Sequence, residues 1–208
     1  MSDPVVSSPT SAAAARSRRG QSLVEFALVL PMLLVLLLGI VDFGRVFQAG
    51  IVMEAAARNG AEAAAQEYLQ MKRGDALLTD VEYARLHNVA LESVCAEAER
   101  LDNTAESGGV CTMPVTVVCI HDEDSDLPGY ASGGWCGTES ATAPAECPTL
   151  QGWTPDKPDT GLPYVEVRVC YQFTTLFNLQ DLQLPLASGL NLGDIWLQKD
   201  RAFTVADY

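Results

Sequence analysis

The chain is 208 residues long, 48% hydrophobic and 19% charged, with six cysteines and a formal charge of -14. The acidic excess excludes the usual route to direct nucleic-acid binding, in which clustered Lys and Arg supply the affinity. The hydrophobic content is ample for one small domain, and a second large catalytic domain is not expected.

Residues 1–20 form a basic leader, of which 1–17 are rich in Ser and Ala and read as flexible. Asp3, Arg16, Arg18 and Arg19 leave this stretch at +2, so a chain starting at Gln21 carries -16. An apolar run follows over 23–41, broken only by Glu25 and containing Pro31. As a helix it covers roughly 28 Å, close to the hydrocarbon thickness of a bilayer. Basic residues before the run and mostly acidic sequence after it predict a cytoplasmic N-terminus and an extracytoplasmic C-terminal portion. A buried helix of a soluble protein is the competing reading, but residues 33–38 offer no polar face.

Glu25 is costly at the edge of a membrane helix unless it meets headgroups, water or a cation. If the chain is cut after Gly20, the new ammonium belongs to Gln21, and Glu25 lies four residues on along the same face. That carboxylate then pairs with its own or a neighbouring subunit's terminus. In an uncut chain it simply reaches out to the interface, and spacing alone does not separate the two. Ordinary signal peptidase would need a small-residue site after the run, and Phe47 before Ala49-Gly50 is unfavourable there.

The helix is expected to continue to about Arg73, an overall length of about 80 Å from Gln21, with Gly74 as terminator. Alanines 55–57, 61 and 63–65 favour it, as do the spacings Asp42/Arg45 and Glu54/Arg58. Gly39, Gly44, Gly50 and Gly60 let another helix approach, although they form no strict GxxxG series. Pro31 is a candidate bend. Thr79-Asp80-Val81-Glu82 fits a capping box opening a second helix. Its expected inward row is Val81, Ala84, Leu91, Val94, Ala98 and Leu101, ending before Asp102-Asn103 and a turn at Gly108-Gly109.

Strands are expected over 115–120 and 162–173, where Val165, Val167 and Val169 alternate with Glu166, Arg168 and Cys170. Shorter strands are expected over 195–197 and 202–205, with Lys199-Asp200-Arg201 at a turn or polar edge. Between them, residues 121–163 read as a long loop pinned by Trp135 and Trp153, the other reading being an exposed aromatic binding platform. Cys95, Cys111, Cys119, Cys136, Cys147 and Cys170 all follow the apolar run, which points to an oxidising compartment and up to three disulfides. Fifteen complete pairings are open; Cys119 with Cys170 and Cys136 with Cys147 are plausible members of them.

Metal and catalytic chemistry are poorly supported. The cysteines form no CxxC pair, and Asp122, Asp124 and Asp126 lack the later glycine and glutamate of a calcium loop, so they read as a solvated acidic loop. His87 and His121 belong to no Ser-His-Asp set, and no phosphate-cradling glycine motif is present. No enzyme activity, metal or cofactor is expected.

The stretch Gly20-Gln21-Ser22-Leu23-Val24-Glu25-Phe26, continuing through Ala27-Leu28-Val29-Leu30-Pro31 and Gly39-Ile40-Val41-Asp42-Phe43-Gly44-Arg45 to Ala55-Ala56-Ala57-Arg58-Asn59-Gly60-Ala61, resembles the N-terminal segment of TadE-like pilus-assembly proteins. The resemblance implies a minor pseudopilin of a tight-adherence, type IV-like pilus system. It implies cleavage between Gly20 and Gln21 by a membrane prepilin peptidase, with Glu25 and Phe26 acting in assembly. Phe26 stands where the system's major pilin often has tyrosine, and the ectodomain is too large for a small major pilin; both favour the TadE-like branch. Implied partners are the peptidase, other pseudopilins or the major pilin, and the inner-membrane assembly platform. The expected fold is α+β: a leader (1–20), a transmembrane and stalk helix (21–73) and a disulfide-containing helix-plus-antiparallel-sheet head (74–208). A single-pass membrane anchor carrying a ligand-binding or adhesive ectodomain is the alternative.

Overall fold

The computed structural model describes residues 12–72, 78–107, 110–122, 134–153, 162–176 and 194–205. The chain divides between Gly44 and Arg45 into two compact units. Helix α1 (Ala12–Met71) runs through that division and includes Pro31. It begins inside the stretch expected to be a flexible leader, where the alanines after residue 11 favour helix. Its last turn closes with the Lys72 amide donating to the Tyr68 carbonyl at 2.9 Å. The expected terminator Gly74 lies outside the described residues.

In the second unit, α1 contributes a row of small side chains: Ala49, Ala56, Ala57, Ala61, Ala64 and Ala65 are buried, with Met53 and Tyr68. Their spacing of three and four residues forms one helical face. Helix α2 (Asp80–Ala98) is capped at Thr79, whose amide and hydroxyl both donate to the Glu82 carboxylate at 2.7 and 2.8 Å. Its buried face is Tyr83, Leu86, His87, Ala90, Leu91, Val94 and Ala98. Val81 and Ala84, expected inside, are exposed. Adding Tyr83, Leu86 and His87 as large core side chains turns the buried stripe away from them.

The strands form a two-stranded sheet, β1 (Ala105–Ser107) with β2 (Val110–Met113), and a four-stranded sheet. The larger sheet comprises β3 (Val115–His121), β4 (Gly134–Cys136), β5 (Tyr164–Thr174) and β6 (Asp194–Thr204), in the antiparallel order β4-β3-β5-β6. Odd positions of β5 and even positions of β3 face the helices: Val165, Val167, Val169, Val118 and Ile120 join the alanines of α1 and Val94 of α2 in the main core. The opposite face holds a second cluster in which Val117, Cys119 and Cys170 meet Ala143, Cys147, Leu150 and Trp153. The sheet is therefore covered by helices on one side and by the segment after β4 on the other. That segment includes a 3-10 turn, Thr138–Ala141, inside what reads as a long loop from sequence.

β6 is one continuous strand where two short ones were expected, and Lys199-Asp200-Arg201 take the polar-edge reading rather than the turn. Opposite pairing with β5 puts Lys199 and Arg201 on the helical side, where both reach Glu54 of α1. Charge in the middle of an edge strand satisfies that partner and also discourages edge-to-edge association. Glu54 thus serves the sheet, rather than the expected pair with Arg58.

The disulfides are Cys95–Cys111, Cys119–Cys136 and Cys147–Cys170. Neither Cys119 with Cys170 nor Cys136 with Cys147 occurs. In the β3/β5 ladder Cys119 stands opposite Glu166, whereas Cys170 stands opposite Val115. Four rungs separate the two cysteines, about 13 Å of strand, far beyond disulfide reach. Cys136 lies directly across from Cys119 on β4, which leaves Cys147 to tie the covering segment to β5.

Candidate functional site

The apolar start of α1 is the candidate site. Glu25 is exposed, and the Gln21 side-chain amide donates to its carboxylate at 3.2 Å. The two residues named on either side of the charge-pairing argument therefore share one helical face. Phe26 is also exposed, at 59%. Side chains of residues 12–20, and with them Arg16, Arg18 and Arg19, lie outside what is described; Gly20 is helical in backbone.

From residue 21 the helix is long and apolar enough to cross a membrane, and its most apolar window has none of its residues buried. Leu28, Met32 and Val35 are 75, 77 and 69% exposed. A continuous apolar surface of this kind marks a face intended for lipid or another protein.

The four glycines fall into two groups. A Cβ built at Gly39, Gly44 or Gly50 would meet nothing within 4 Å, so their space is open. At Gly60 it would lie 2.7 Å from Val94 Cγ2 and 3.2 Å from the Ala90 carbonyl oxygen. Gly60 is therefore used by the chain's own second helix and is not open to another subunit. The close helix approach expected at Gly60 thus occurs, within the chain itself.

Beyond the site, α1 is fastened to the head by charged and aromatic contacts. Arg45 pairs with Asp102 at 2.5 Å and lies 5.2 Å from the Phe173 ring centre. Nearby, burial pushes the Tyr171 hydroxyl up, while the Asn103 amide, donating to its oxygen at 3.1 Å, pulls it down and the Asp102 carboxylate adds to the rise. At the other end Lys72 Nζ reaches Asp122 at 2.8 Å, and the Tyr68 hydroxyl donates to the same carboxylate. Asp122 is buried, so it belongs to a core network rather than a solvated acidic loop; Asp124 and Asp126 lie outside the described residues. No short-range pattern signals this network, because Lys72 and Asp122 are fifty residues apart.

The aromatic and histidine candidates are packing groups. Trp135 stacks on Tyr83 at 6.1 Å with His87 edge-on, and Trp153 lies 3.7 Å beneath the Arg168 guanidinium. Both indoles are 9% exposed, which fits pinning rather than a binding platform. His121 is buried, stacked on Tyr164 at 4.1 Å and 3.6 Å from Glu166. Among the described residues no group of three or more His, Cys, Asp or Glu side chains is placed to hold a metal ion.

Residues 20–62 match the model of the TadE-like protein family, so the match opens at Gly20, spans the exposed apolar run and ends just after Gly60. The chain carries a TadE-like domain. That domain is the one of a pilus-assembly protein family, and it takes up 43 of the chain's 208 residues. No significant match is found among curated proteins or solved structures. The TadE-like domain extends across the division at Gly44, taking in both the exposed start of α1 and the beginning of its buried part. The head from residue 63 onward lies outside the match.

Proposed function

We propose that this protein is a minor pseudopilin that supports assembly or priming of a tight-adherence pilus through the N-terminal half of α1. The observation that carries the proposal is the coincidence of the TadE-like match with an apolar helix face that this chain leaves bare. In this reading the run 23–41 crosses the cytoplasmic membrane with its basic end inside and the disulfide-bonded head outside, where oxidising conditions let the three bridges form. A prepilin peptidase cuts between Gly20 and Gln21. The new ammonium replaces the Gln21 amide as the nearest partner for Glu25, or Glu25 is offered to the terminus of a neighbouring subunit.

Other pseudopilins or the major pilin then pack along the helix, with Gly39, Gly44 and Gly50 as points of close approach. The assembly platform in the inner membrane receives the same helix, and extraction into a surface filament is the later step. The test is Glu25→Ala in cells assembling the pilus. Loss of cross-links to other pilus subunits, with the head's disulfides and membrane association retained, supports the proposal. Undiminished incorporation rejects the charge pairing. A membrane-anchored adhesive ectodomain would retain residues 1–20 and be indifferent to this change.

A further inference from the structure

One end of the head combines three features that the pilus reading leaves unused. Arg45 is four helical residues past Val41, about 6 Å of rise beyond the end of the apolar run, and Phe47 is about 9 Å beyond it. Both lie on a continuous helix. The polar headgroup layer on one side of a bilayer is about 5–8 Å thick, so chain connectivity alone holds these residues at its outer boundary.

The same end carries apolar surface. Phe47 is 66% exposed even though its neighbours Val46 and Ala49 pack into the head core. Arg45 lies against Phe173 near the end of β5, and three residues later Leu176 is 57% exposed. Phe173 is paired with Ile195, so β6 begins at this end too. In sequence, residues 177–193 between β5 and β6 contain one phenylalanine, six leucines, a single acid and no basic residue.

We propose that this end of the head, presenting Phe47 and Leu176 beside Arg45, rests in the outer headgroup layer of the membrane as a second, shallow lipid contact. The inference rests on the membrane-spanning reading of residues 23–41. Aromatic and aliphatic side chains at this depth bury their apolar parts among the headgroups, as interfacial aromatic belts do. Arg45 is already paired with Asp102, and the chain is strongly acidic, so attraction to anionic lipid is not the driving force. The contact is apolar and its partner is phospholipid of any headgroup charge.

The test uses the full chain reconstituted in phosphatidylcholine vesicles, with a photoreactive benzophenone side chain placed singly at Val35, Phe47, Leu176 or Phe203. Val35 lies in the middle of the apolar run. Phe203, 40% exposed, pairs with Val165, eight residues along β6 from Ile195, about 27 Å away. Mass spectrometry should find phospholipid adducts at 35, 47 and 176, none at 203, and no increase at 47 or 176 when phosphatidylglycerol is added. An adduct at 35 without one at 176 overturns the second contact and leaves the span intact. No adduct at 35 overturns the span itself. Adducts at 176 with a second copy of the chain instead of lipid overturn the lipid assignment.

Discussion

Along α1 large leucines and Met32 ahead of Gly44 are exposed, while small alanines past Arg45 are buried. Leu28 and Met32 are 75 and 77% exposed, whereas Ala56, Ala57 and Ala64 are fully covered. In one continuous helix, burial therefore follows the available partner and not hydrophobicity. Past Arg45 the partner is the chain's own sheet and second helix, and alanine and Gly60 let backbones approach closely. Before Gly44 the bulky leucines and valines have no such partner among the described residues. At about 25 cal/mol per Å² of apolar surface, leaving that face in water is strongly unfavourable, so lipid or other helices must cover it.

Changes in the two regions should therefore separate head stability from membrane and assembly behaviour. The largest effect is expected for the double substitution Cys147→Ser with Cys170→Ser. It opens a bridge closing 23 residues and should lower head stability by about 3 kcal/mol, read from the urea midpoint of tryptophan fluorescence, with membrane association unchanged. Leu34→Asp should do the reverse. An acid at the centre of a span costs about 2.5–3.5 kcal/mol of insertion, so the carbonate-resistant fraction should fall while the head's urea midpoint holds.

The glycines sharpen the contrast within a single residue type. Gly60→Ala should destabilise the head by about 1–3 kcal/mol through overpacking against Val94 and the Ala90 carbonyl. Gly50→Ala meets nothing and should leave stability unchanged or raise it by up to about 1 kcal/mol through helix propensity. If Gly50→Ala also weakens cross-linking to other pilus subunits, the open glycine serves an intermolecular contact. The smallest effect concerns Glu82, whose carboxyl is held below its usual value mainly by the Thr79 amide, then by the Thr79 hydroxyl. A depressed carboxyl stabilises the fold above its unfolded pKa and loses that contribution as pH falls through the folded value. Glu82→Gln should therefore flatten the fall in the urea midpoint between neutral pH and the acid range below the ordinary glutamate value.

Several elements were legible because their signals are local. Thr79 and Glu82 announced the start of α2, alternating valines announced β5, and the leucine-rich run announced the exposed half of α1. The errors arose where a distant partner decides the outcome. Lys199-Asp200-Arg201 reads as a turn or as a polar edge until Glu54 of α1 is placed across from it. Val81 and Ala84 fit a helical row as well as Tyr83, Leu86 and His87 do, until Trp135 arrives to stack on one set. The cysteine pairing required the β3/β5 register, which no short-range pattern encodes. At the candidate site the residues and their spacing were readable, since Gln21 and Glu25 are one turn apart; the closing of Gly60 by α2 was not.

If the bare half of α1 is a pseudopilin helix, cleavage at its basic edge releases it for assembly. N-terminal sequencing of the full chain, produced with its cognate prepilin peptidase either active or disabled, tests it most directly. Gln21 should be the first residue only when the peptidase is active. A chain that still begins at Met1 in both cases would contradict the account and favour a permanently anchored ectodomain.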